Sequence, residues 1–167
     1  MTPTKYRDQV ANLAKTDPEK GIEISKKIVD PWFQAQAWSS LTRWADDPLR
    51  FSRHAAKSAT ETKDDYQKSA VLAWEVAALA ERGYHDQARK SLKEAVDLAA
   101  TVSPIPSRAE ALFLLFQSAF KISNDEATKV GKVMIASCTQ THWRVKRALK
   151  DSALMLKHEV PPREFFW

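Results

Sequence analysis

Four times within its first 48 residues the chain sets an oxygen-bearing side chain directly before a proline: Thr2-Pro3, Asp17-Pro18, Asp30-Pro31 and Asp47-Pro48. Proline at the first position of a helix loses nothing, because that N–H has no intrahelical partner and its φ is already helical. The residue before it supplies an acceptor for an N–H one turn further in. Four uses of one device predict four helix starts separated by little chain, which restricts the fold to helix packed on helix.

Other caps extend the series. Asp64 and Asp65 precede Tyr66, and Asp86 follows Gly83-Tyr84-His85. Ser103-Pro104-Ile105-Pro106-Ser107 breaks the chain before Arg108. Ser123-Asn124-Asp125-Glu126 opens another helix, and Thr139-Gln140-Thr141 opens the last. The expectation is nine helices, near 3–15, 18–28, 32–45, 48–60, 65–82, 86–100, 107–121, 125–137 and 141–157. Alanine is abundant and no segment alternates as a strand does, so the fold class is all-α. Short links make successive helices antiparallel hairpins. The helix at 107–121 carries Leu112, Phe113, Leu114, Leu115, Phe116 and Phe120, apolar almost all round, and is expected at the centre.

The hairpins repeat. Gly21, Phe51, Ala88 and Ala127 occupy corresponding places in the second helices, and Lys68-Ser69-Ala70-Val71-Leu72 matches Arg108-Ala109-Glu110-Ala111-Leu112 in the first ones. Over residues 66–100, Ala73-Trp74, Ala77, Ala80, Gly83-Tyr84, Ala88, Leu92 and Ala95 make the chain resemble a tetratricopeptide repeat; a HEAT-like or generic αα-superhelix describes the chain equally. The resemblance implies a right-handed αα-superhelix of four to five antiparallel pairs in one domain, 1–160. It implies a concave face, built from the first helix of each pair, that binds a protein or peptide without catalysis. Tetratricopeptide proteins that hold a terminal carboxylate use basic residues there, but the accompanying asparagines are missing here.

Charge narrows the partner little. The excess of 26 Lys and Arg over 21 Asp and Glu gives +5 and suits an acidic peptide. Lys68, Arg108 and Arg144 are expected at equivalent places on successive first helices, with Arg147 beside them and Glu110 and Gln117 as hydrogen-bonding groups. A second basic stripe, Arg50, Arg53, His54 and Lys57, runs at helical spacing, and Arg144, Lys146, Arg147 and Lys150 make a third. The ordinary account of such stripes is a solvated helix face. Their alternative use is nucleic acid, with aromatic residues stacking on bases.

Chemistry is sparse. The chain lacks His-Glu-x-x-His, paired Cys-x-x-Cys, Gly-x-Ser-x-Gly and Gly-x-x-x-x-Gly-Lys, so an enzyme, a metal site or a cofactor is not expected. Asp46-Asp47 and Asp64-Asp65 read as caps rather than acid–base pairs, and Cys138 as a small buried apolar residue. One cysteine, the absence of an apolar leader and the lack of a bilayer-length apolar run suggest a cytoplasmic protein with no membrane partner. Of the six tryptophans, most are expected in the core, with Trp32 and Trp143 reaching the surface. The tail 161–167, with Phe165-Phe166-Trp167, is expected to cap the open end of the stack or to drive association with a neighbour.

Overall fold

A computed structural model describes residues 1–139 and 141–166. Within them the chain forms nine helices and no strand: α1 (Pro3–Leu13), α2 (Pro18–Ser25), α3 (Pro31–Trp44), α4 (Pro48–Thr60), α5 (Asp65–Glu81), α6 (His85–Ala99), α7 (Ile105–Ala119), α8 (Asn124–Ser137) and α9 (Trp143–Leu156). Each of the four residues preceding a proline caps as expected: Thr2, Asp17, Asp30 and Asp47 accept from the N–H groups of Lys5, Lys20, Trp32 and Arg50 at 2.9–3.3 Å. Asp64 accepts from Gln67 N–H at 2.8 Å and Ser123 from Glu126 N–H at 3.1 Å.

Two starts differ from expectation by more than one residue. Helix α7 begins at Ile105, so Pro106 is inside its first turn rather than before it. Helix α9 begins at Trp143, with His142 as its cap: the imidazole Nδ1 accepts from Arg144 N–H at 3.2 Å. Thr141 therefore lies outside the helix, and Gln140 lies outside the described residues.

The helices form two layers. The odd-numbered ones pack in series, α1 on α3, α3 on α5, α5 on α7 and α7 on α9. Each even helix rests against the two odd helices that flank it in sequence, α2 on α1 and α3 through to α8 on α7 and α9. Small residues let the layers approach. Gly21 of α2 is buried, and a Cβ there would meet Leu41 Cδ2 of α3 at 3.2 Å; Ala88 and Ala127, at the corresponding places in α6 and α8, are fully buried.

Helix α7 is central, with Leu112, Leu115 and Phe116 completely buried and α5, α6, α8 and α9 around it. Most of the interior is one apolar cluster spanning α3 to α9. A second, built on Val10, Ile22, Trp38, Leu41 and Phe51, fills the N-terminal end. Arginines close two C-terminal ends, where carbonyls lack intrahelical donors. Arg82 donates to the Thr42 and Ala45 carbonyls at 3.2 and 2.9 Å, and Arg108 to the Ser137 carbonyl at 2.7 Å.

Gly83 turns the chain from α5 into α6 with φ +82°, and nothing lies within 4 Å of where its Cβ would be. Gly83→Ala therefore meets no clash and carries only the left-handed backbone cost. It is expected to lower stability by about 1 kcal/mol, ~2–4 °C in melting temperature, with Gly83→Asn recovering part of the loss. An unchanged melting temperature for the alanine variant would contradict this account.

Candidate functional site

The face of the odd helices carries a strip of aromatic and charged side chains drawn from four of them. Trp32 at the start of α3 stacks on Tyr66 of α5, with ring centroids 6.5 Å apart, and meets the edge of Trp74 at 5.6 Å. Across from Tyr66, Glu110 of α7 forms an ion pair with Arg144 of α9, Oε1 to Nε 3.5 Å. Burial raises the Tyr66 phenol above its ordinary pKa; the Glu110 and Asp64 carboxylates raise it further, and Arg144 opposes them. At the far edge Trp143 is 59% exposed, and the Arg144 and Arg147 guanidinium groups lie over its ring at 5.4 and 5.2 Å. Such an edge can stack on a planar group or pair with a carboxylate.

The other half of this face is covered by the chain itself. After α9 a non-helical segment returns across α7, α5 and α3 rather than over either end of the stack. Arg163 N–H donates to Gln117 Oε1 of α7 at 3.0 Å, and the Arg163 guanidinium lies 5.3 Å over the Trp74 ring. Phe165, 1% exposed, meets Trp74 edge-on at 5.4 Å, and Phe166 lies beneath the Arg43 guanidinium at 4.9 Å. A row of alternating charge fastens the crossing. Arg43 of α3 pairs with Glu81 of α5, Glu81 with Lys121 at 3.4 Å, and Lys121 with Glu164 at 3.6 Å. Phe165 and Phe166 are thus spent within their own chain; Trp167 lies outside the described residues.

The expected ladder of Lys68, Arg108 and Arg144 is not assembled. Lys68 lies 4.0 Å from Asp65 and lines a cleft between α4 and α6. Arg108 is committed to the Ser137 and Val102 carbonyls, the latter at 2.9 Å. Arg144 and Arg147 do share a surface with Glu110, while Gln117 serves the returning segment. The stripe on α4 is divided between two sides of its helix. His54 stacks on Trp38 at 4.7 Å and shares a hollow of about 300 Å³ with Lys26 and Lys57; burial first, and then Arg50, Lys57, Lys26 and Arg53, lower its pKa. Arg50 packs over Phe51 at 5.2 Å, and Arg53 faces the cleft toward α6. Cys138 is buried, which raises its thiol pKa.

Sequence reasoning passed over Glu75. It is the one charge in residues 71–80, a signal that was there to be used. Glu75 is 3% exposed at the floor of the α4–α6 cleft, which opens into hollows of about 170 and 410 Å³. Its Oε1 accepts from Ser52 of α4 at 2.7 Å and from Ser91 of α6 at 3.0 Å, while Oε2 has no partner. Burial pushes the carboxyl up from 4.5 to about 7, against the two serine hydrogen bonds and with help from Glu94. A further cleft of about 440 Å³ separates α6 from α8, spanned by Arg89 and Glu126 at 3.5 Å.

Among the described residues no group of three or more His, Cys, Asp or Glu side chains is placed to hold a metal ion, and no helix is long and apolar enough to cross a membrane. Comparison with protein-family models, with curated proteins and with solved structures finds no match to this chain.

Proposed function

We propose that the protein is a binding scaffold, a right-handed αα-superhelix that holds a protein or peptide segment across the face of its odd-numbered helices. One observation carries this reading: a non-helical stretch of polypeptide, residues 163–166, already lies across α7, α5 and α3, held by side chains of all three. The open remainder of the face, Trp32, Tyr66, Glu110, Arg144, Arg147 and Trp143, offers exposed ring surface and guanidinium groups of the kind that anchor interfaces. The two cations over Trp143, of which Arg144 also pairs with Glu110, favour an acidic partner.

The test compares immobilised wild-type protein with Arg144→Glu/Arg147→Glu, one arm treated with nuclease. Proteins captured by the wild type are expected to fall by about ten-fold or more on the double reversal, since a charge-assisted contact contributes about 1.5–3 kcal/mol. Equal capture by both forms would remove this face from the account. Capture lost to nuclease, with a steep dependence on salt, would favour the nucleic-acid reading and return attention to the cations of α4.

A further inference from the structure

We propose that the trough between α3, α5 and α7 is a recognition site for a non-helical segment bearing two adjacent aromatic residues behind an arginine and a glutamate, with residues 163–166 as its resident occupant, displaceable by such a segment from a partner. This inference rests on the scaffold reading and specifies a sub-site within it.

The contacts are of a recognition type, at least one side-chain partner for each residue of the segment. Gln117 Oε1 takes the main-chain N–H at 163, Trp74 takes the cation of the same residue, and Lys121 takes the carboxylate at 164. The edge of Trp74 receives the ring at 165, and Arg43 receives the ring at 166. Little main chain ties the segment to the helices. Between the Glu159 N–H, which donates to the Leu154 carbonyl at 3.0 Å, and the Arg163 N–H, no hydrogen bond holds residues 160–162 among the described residues. Pro161 and Pro162 have no N–H to give, and Lys157 through Pro161 are exposed.

A ligand joined to its site by a short exposed link has an effective concentration in the millimolar range. The resident segment therefore dominates at rest yet yields to a segment bound more tightly or supplied at a locally high concentration. Charge sets the preference. Lys121, already paired with Glu81, accepts a carboxylate one position before the first ring and disfavours a cation there.

The probe is a fluorescein-labelled peptide of residues 158–167, titrated by anisotropy into the full chain and into Phe165→Ala/Phe166→Ala, which loosens the resident segment and leaves the trough intact. The loosened chain is expected to bind the peptide saturably, one to one, at least about ten-fold more tightly than wild type. A peptide with both phenylalanines replaced by alanine is expected to bind neither. Equal binding by the two chains, with the variant shown folded by circular dichroism, overturns the proposal.

If the double variant does not fold, a wild-type chain with a specific protease sequence inserted between Glu159 and Val160 replaces it. After cutting, the labelled peptide is expected to exchange into the trough, and failure to exchange overturns the proposal equally. A wild-type dimer that the peptide dissolves would support the same site, filled by a second copy. These readouts do not involve Arg144 or Arg147. Loss of the charge-reversal effect with peptide binding retained would remove the open end alone, and the converse would remove this sub-site alone.

Discussion

At pH 8 the Glu75→Gln variant is expected to melt about 5–10 °C above the wild-type protein, and the gap is expected to close as the pH falls to 5. The cause is the raised carboxyl at the floor of the α4–α6 cleft. In the unfolded chain Glu75 titrates near 4.5; in the fold, burial holds the proton to about 7. Between those values the folded state binds more protons than the unfolded state, so stability falls as the pH rises. The contribution of this group is complete below 4.5 and lost as the pH passes 7, an effect of about 3 kcal/mol. Glutamine keeps an acceptor for Ser52 and Ser91 and carries no charge. Thermal melts of both proteins from pH 5 to 8 provide the check, and parallel curves would show that Glu75 titrates as an ordinary surface acid.

The second large effect is at the centre. Phe116→Ala is expected to cost about 3–5 kcal/mol, roughly 10 °C or more in melting temperature. Phe116 is completely buried, stacked with Phe113 at 6.3 Å and met edge-on by Phe120 at 5.1 Å. The wall opposite is α8 at Gly131, where a Cβ would stand 3.4 Å from Phe116 Cε2, so no side chain on that wall is ready to fill the space left. Phe120→Ala, at a half-buried ring, is expected to cost clearly less. Equal losses in urea denaturation would contradict the central place given to α7.

What could be read from the sequence follows the range of the interaction behind it. The aspartate–proline starts were legible because a cap and its N–H are neighbours along the chain. The burial of Leu112, Leu115 and Phe116 was legible because the helix that carries them is apolar nearly all round. Arg108 was not legible: its fate depends on the carbonyl of Ser137, 29 residues away, which ends a helix packed alongside. Trp44 was expected among the core tryptophans and is 42% exposed, with Lys15 and Arg43 over its ring at 4.7 and 5.1 Å. A tryptophan in the last turn of a helix protrudes past its neighbours, and periodicity does not register that. The path of residues 163–166 was the largest gap. The aromatic pair announced that it must be covered, but the partners Trp74, Gln117 and Arg43 come from three helices whose alignment only the fold provides.

That path also sets an order of events during synthesis. Trp74 leaves the ribosome about ninety residues before Phe165, which at 5–20 residues per second leaves it waiting about 5–20 s for the ring that covers it. The odd helices can stack as they emerge, since each needs only its predecessor. Once α7 has joined them the trough stays uncovered for the rest of that interval, and a nascent chain stalled after α9 would display Trp74, Gln117 and Arg43 to whatever chaperone or partner segment arrives first.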